Sequence, residues 1–474
     1  MRRLIPVFLL GSSLLCAAQQ APESDLGKFY SQELLAQLPQ VQQAAMRSSY
    51  ALAQLDHLTN TLGPRLAGSP GAQAAVEYVA SELRRLGLEV RLEKVMVPHW
   101  VRGVETAELV QVPGQQSPIP QNVVLTALGN STATPPDGVT AEVVVVNSFK
   151  ELDELGAAKV SGKIVLFNVP FDERKAEMGL AGDAYGTVSR YRGGGGVAAA
   201  KLGAVAALVR AAGGANFRIA HTGYSVPAGI PNASITTEDA ERIARLVRQG
   251  PVRMHLTLTP AKYPDVESYN VVADLKGSEH PEQVVIVSGH LDSWDLGTGA
   301  IDDGAGVVMA METAAVFQQL KLRPKRTLRV IAWMDEELAG TGHNAYFKDH
   351  QAEVANHVAA IESDFGAGHP AGISAGIPAD AIPLLAPVQD ALRPQGATVI
   401  RVSPFTGSDI SALGKAGVPT FGLLQDGRRY FDYHHTAADT FDKVDPSELA
   451  ENAAVMATLA WALCNMEQPL PRAK

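Results

Sequence analysis

The chain has 474 residues, 46% of them apolar and 19% charged, which places it among globular proteins with room for two or three domains. Its net charge of -10 and isoelectric point near 5.7 exclude a nucleic-acid partner, since phosphate backbones are held by clustered Lys and Arg and no such cluster is present. Of two cysteines only Cys464 lies outside the first eighteen residues, so no internal disulfide is expected.

Arg2-Arg3, the apolar run Leu4 to Leu15 and Cys16-Ala17-Ala18 read as an export signal over residues 1–18, cleaved near Ala18. Lipid attachment at Cys16 is the alternative, disfavoured by the bulky Leu14-Leu15 before it. No other stretch approaches the roughly 20 apolar residues of a transmembrane helix, so an exported protein, periplasmic or extracellular, is expected. Residues 19–45, rich in Gln and Ala, read as an N-terminal arm or pro-segment.

A first catalytic segment, 46–114, opens with a helix. Ser69 suits its N-cap and Pro70 its first turn, Val76, Val79, Leu83 and Leu86 share one face, and Gly87 ends it. A strand over 88–97 should follow. Between 115 and 258 the short apolar runs "AEVVVVNSF", "GKIVLFNV" and "GAVAALVRA" predict a β-rich inserted module with one helix over 238–247. Its "RGGGGVAAAKLGA" lacks the Gly-Lys-Ser/Thr ending of a phosphate loop and is expected to be a surface loop. Asn130 and Asn232 head glycosylation sequons, which matter only in a host that glycosylates.

From 259 to 474 the pattern alternates. Strands are expected at 284–287, 328–333, 358–361, 398–402 and 419–424, with helices at 304–320, 342–350 and 381–392 between several of them. The fold class is therefore α/β, a mostly parallel sheet with helices on both faces. Ligands of such sheets bind outside the carboxyl ends of the strands. Four stretches with metal-type side chains follow these strands: "GHLDSWDLGTGAIDDGAG", "WMDEELAGTG", "IESDFGAG" and "YFDYHHTAADT". Each alone is weak, since a Glu-Glu pair is usually a solvated turn and a single His usually structural. Their recurrence at successive strand ends is specific.

In order and spacing the four stretches resemble the co-catalytic zinc exopeptidases: His-x-Asp, an Asp ten residues later, Glu-Glu, Asp, then His-x-x-x-Asp-Thr. The resemblance covers nearly all of residues 50 to 465, and the inserted module looks like a protease-associated domain. It implies two Zn²⁺ per chain, one held by His290, Asp302 and Asp364, the other by Asp302, Glu337 and His435, with Asp302 bridging. Three carboxylates and two neutral imidazoles leave such a pair one net positive charge, which favours hydroxide. Glu336 is the expected general base, and Asp292 is expected to accept the second ring N–H of His290. Asp295 and Asp303 are taken as loop residues, and the Asp302–Asp303 peptide as cis. Many relatives carry Tyr where this chain has His434. The spacing to Asp439 selects His435 as ligand and leaves His434 to donate to the oxyanion, with the reverse assignment open.

Arg428 and Arg429 are either a clamp for a substrate carboxylate or solvated surface residues; Ser408-Asp409 is either a substrate-side loop or a helix cap. The module, "LAGSPG" and "HHTAADT" point within the family to an exported dipeptidase of carboxypeptidase type, acting on short peptides with free termini as a homodimer. The alternative is a zinc aminopeptidase of longer peptides. A single-zinc cyclase and a non-enzymatic receptor share the scaffold, but neither expects all five ligands and the base.

Overall fold

A computed structural model describes residues 26–117, 119–214 and 216–472. The expected export segment lies outside them. Among the described residues no helix is long and apolar enough to cross a membrane.

The main sheet has eight strands: β1 (Glu89–Val101), β2 (Ala261–Leu275), β3 (His280–His290), β4 (Arg326–Trp333), β5 (His357–Glu362), β6 (Pro370–Gly376), β7 (Val399–Val402) and β8 (Thr420–Gln425). Their spatial order is β1-β2-β4-β3-β5-β8-β6-β7. The four central strands, β4-β3-β5-β8, run parallel; β1 pairs antiparallel with β2, β2 with β4 and β6 with β8, and β7 runs parallel to β6. All eight residues of β4 are buried, as in a parallel strand covered on both faces. Alternation does the sorting: Val285 and Val287 of β3 face one core, Val284 and Ile286 the other.

The larger core is covered by α1 (Gln32–Arg47), α2 (Pro70–Arg85), α4 (Ala305–Gln319) and α6 (Pro446–Asn465); α5 (Thr341–Asp349) covers part of the smaller. The Ser69 hydroxyl accepts the Ala72 N–H at 3.1 Å and caps α2.

Residues 32–47 overlap the segment expected as an arm or pro-segment. They form α1, whose Leu34, Leu38 and Val41 are fully buried in the main core. Gln32, Ala36, Gln40 and Gln43 line the outer face of a helix whose apolar spacing, 34, 38, 41 and 45, is regular, while Gln42 is buried and donates to Gln395 Oε1 at 2.6 Å.

A second eight-stranded sheet is drawn from residues 105–258, between β1 and β2. It starts ahead of the expected 115, because Glu105–Gln111 pairs antiparallel with Arg253–Leu258, setting side by side the strands by which the chain enters and leaves. The glycine run is also not a loop. It lies within α3 (Ala181–Lys201), where a Cβ on Gly195 would stand 2.9 Å from the Phe167 ring and one on Gly196 2.3 Å from the Asn232 amide. Glycine costs a helix about 1 kcal/mol per residue, but here only glycine lets the helix lie this close to the strands. Asn232 itself is buried in strand Asn232–Ile235 and offers no glycan site.

Candidate metal centre

The four motif stretches emerge from the carboxyl ends of β3, β4, β5 and β8. His290 ends β3 opposite Trp333 at the end of β4, and Ser288 of β3 is opposite Glu362 at the end of β5. Loops leaving neighbouring parallel strands at one edge must meet, and they bring all five expected ligands together. His290 Nε2 lies 3.2 Å from Asp302 Oδ1 and 3.3 Å from Asp364 Oδ1. On the other side His435 Nε2 lies 3.1 Å from Asp302 Oδ2 and 3.0 Å from Glu337 Oε2. Asp302 thus turns one oxygen to each group, the arrangement of a bridging carboxylate. The Asp302–Asp303 peptide is cis.

These separations fit a tetrahedral cation. Donors about 2.0–2.1 Å from one zinc stand roughly 3.3 Å apart, close to the spacings found. Asp302 Oδ2 and Glu337 Oε1 are buried without a hydrogen-bond partner among the described residues, although Oδ2 is near His435 Nε2; co-ligands of one ion are close without donating to each other. Imidazole and carboxylate donors suit Zn²⁺. Charge agrees: burial pushes Glu337 up to about 8 and Asp364 up to about 6. At Asp302 burial also opposes the charge, but His434, His290 and His435 overcome it and hold the carboxyl well below its usual range. The acidic loops are therefore packed around a place for positive charge.

Asp292 is corrected. His290 Nδ1 meets the backbone carbonyl of Asp292 at 3.0 Å, with the nearest carboxylate oxygen 3.9 Å away. The Asp292 carboxylate instead accepts the backbone N–H groups of Asp335, Glu336 and Glu337 at 2.7, 3.1 and 3.4 Å, fixing the turn that carries the expected base and a ligand. Its backbone is pinned two residues beyond His290, which leaves the side chain to span to the next strand's loop. Asp303 accepts the N–H of His290 at 3.0 Å and of Gly306 at 2.9 Å, tying β3 to the start of α4. Asp295 pairs with Arg102 beside the second sheet. Asp439 accepts the N–H groups of Ala300 and Ile301, both at 2.8 Å, and so holds the loop that carries Asp302.

Glu336 lines a cavity of about 730 Å³ together with Asp302, Asp364, His434 and His435. Arg428 and Arg429 do not reach it: Arg428 pairs with Asp426 and Arg429 with Asp432, both exposed beside a different hollow. The cations on the cavity wall are Arg192 and Lys262. Ser408 also lines it, whereas Asp409 turns inward to His343 Nδ1 at 2.6 Å.

Sequence reasoning missed the contribution of the inserted segment. Arg192 of α3 places Nη1 3.2 Å from His435 Nδ1, and His221 Nε2 lies 3.1 Å from His434 Nδ1. Neither has a spacing signal; the position of Arg192 just before the glycine run is the one hint. Arg65 was missed as well. Fully buried, it donates to the carbonyls of Leu291, Thr298 and Gly299 and shapes the loop between His290 and Asp302.

A mostly parallel sheet whose strand ends gather two carboxylate–imidazole triads around one shared aspartate is the frame of a zinc metallopeptidase. The chain belongs to peptidase family M28. Residues 270–460 match that family, and carboxypeptidase Q of Homo sapiens is 39% identical over 422 residues, 88% of this chain and 85% of that protein. The crystal structure of a peptidase M28 precursor from Shewanella amazonensis SB2B superimposes with a TM-score of 0.86 at 38% identity, covering 93% of this chain and 99% of the other. A zinc aminopeptidase from Bacillus subtilis shares the fold at 19% identity, with a TM-score of 0.61 over 87% of this chain and 93% of that one.

Proposed function

We propose that the protein is an exported di-zinc exopeptidase that hydrolyses dipeptides and short peptides with free termini. The carrying observation is the shared Asp302, one oxygen toward His290 and Asp364 and the other toward His435 and Glu337. In this reading His290, Asp302 and Asp364 hold one Zn²⁺, and Asp302, Glu337 and His435 hold the second. Bound there, two zinc ions supply a water of lowered pKa and polarise the scissile carbonyl.

The chain's own residues do the rest. Glu336, on the turn fixed by Asp292, takes the proton of the attacking water and returns it to the leaving amine. His434 faces the same cavity and donates its Nε2–H to the oxyanion. Arg192 and Lys262 stand on the wall where a free substrate carboxylate would be held. Tyr185 and Arg192, both from the inserted segment, line the cavity and so take up room that a longer substrate would need. Export rests on residues 1–18, and a homodimer is the expected assembly.

Activity on a free dipeptide, its amidated form and an extended peptide, with and without chelator, tests this. The dipeptide should be cleaved best, chelation should abolish cleavage, and metal analysis should give two zinc ions per chain. Equal cleavage of the extended peptide would replace this reading with the aminopeptidase. Glu336→Gln should keep its metal and lose on the order of 10²- to 10⁴-fold in kcat.

A further inference from the structure

We propose that His221, carried by the inserted segment, is a positioning residue that sets the tautomer of His434, so that His434 presents an N–H rather than a lone pair to the substrate. This rests on the reading of His434 as the oxyanion donor. The plane of the His434 ring is fixed by its surroundings. It stacks on His435 with centroids 3.6 Å apart and a 16° tilt, and Tyr185 meets it edge-on at 5.1 Å. What remains free is which nitrogen carries hydrogen.

His221 Nε2 and His434 Nδ1 are 3.1 Å apart, so they hold a single hydrogen between them; one on each facing nitrogen would collide. Two arrangements satisfy this. Either His434 Nδ1–H donates to His221, whose own hydrogen then sits on Nδ1, or His221 Nε2–H donates to His434, whose hydrogen then sits on Nε2. The far nitrogen decides. His221 is 1% exposed and its Nδ1 has no hydrogen-bond partner among the described residues. An unpaired buried N–H costs the desolvation of a donor, about 1–3 kcal/mol, and orphaned donors are rarer than under-used acceptors. Nδ1 of His221 is therefore bare, which makes His221 the donor and leaves Nε2–H on His434. The same point excludes a doubly protonated His221.

The backbone holds this pair in register. The Thr222 N–H donates to the His435 carbonyl at 2.9 Å, and the Thr222 hydroxyl to the Ala127 carbonyl at 2.9 Å. At Gly223 a Cβ would stand 2.4 Å from Arg192 Nη1 and 2.7 Å from His435 Nδ1, so the segment lies directly on the twin histidines. Two consequences follow. An Nε2 that carries hydrogen cannot ligate, which assigns the metal to His435. And although the nitrogens of His221, His434 and His435 lie close enough to hold a cation, the shared hydrogen and the Arg192 guanidinium already occupy that space.

The test uses the zinc-loaded full chain with ¹⁵N-labelled histidine. In the unsubstituted protein His434, assigned through His434→Phe, should show the Nε2–H tautomer by NMR; an Nδ1–H tautomer overturns the proposal. His221→Leu should keep both metals and KM within about twofold, while kcat falls roughly 10- to 100-fold, the range seen when partners behind a working side chain are removed. His221→Gln, which restores an N–H near the same place, should recover most of the loss. Unchanged kcat in His221→Leu, or no recovery in His221→Gln, counts against it. If His434→Phe keeps full kcat, the oxyanion reading fails instead, whatever the tautomer.

Discussion

The Asp292 carboxylate accepts from three successive residues, 335 to 337, so it determines where Glu336 points without touching substrate. Asp292→Ala should leave buried N–H groups unpaired, at a cost on the order of 1–3 kcal/mol, read as a lower urea midpoint, and kcat should fall with it. Asp292→Asn, which keeps an acceptor oxygen, should lie between. The five side chains that meet around Asp302 were legible in the amino-acid sequence, because the motifs that resemble the family restrict residue type and the strand ends restrict position. The partner of His290 was misread, because spacing cannot say whether a backbone or a side-chain oxygen of residue 292 reaches the ring.

Helix α3 brings Arg192 and Tyr185 to the cavity through a glycine face that packs on Phe167 and Asn232. Gly196→Val should cost roughly 1–3 kcal/mol through overpacking and raise KM by moving Arg192, whereas Gly193→Ala, where nothing lies within 4 Å, should stabilise the helix slightly; paired thermal melts and KM values decide. Helix α4 hides a carboxyl. Glu312 accepts the Ala51 N–H at 2.8 Å, and burial pushes it up to about 7 from 4.5. A carboxyl whose folded pKa is raised contributes fully below about pH 4.5 and loses its contribution as pH rises through about 7. This amounts to on the order of 3 kcal/mol. Urea midpoints at pH 5 and pH 8 should therefore differ less in Glu312→Gln than in the parent. The central strands were readable from unbroken apolar runs and α2 from its cap and stripe. The glycine-rich helix was not, since local propensity argues against helix and only the tertiary fit overrides it.

Across the molecule, the strongest surprise is the placement of α1. Its Leu34, Leu38 and Val41 are fully buried, each worth about 1.5–3 kcal/mol, a large share of the 5–15 kcal/mol by which whole domains are stable. A variant lacking residues 26–47 should be insoluble or should melt without a cooperative transition; a soluble, active one would show that the helix is dispensable. The composition of this segment resembles a linker, and its role appears only once a partner surface at the far end of the chain is known.

That partner is α6 and the turn after it: Trp461 Nε1 donates to Gln37 Oε1 at 3.1 Å, and Glu467 N to Phe29 O at 2.9 Å. Helix α1 must therefore wait for one that is made only after the whole sheet has been synthesised. Chains stopped before residue 446 cannot complete the interior, so an incomplete product should be recognised by proteases.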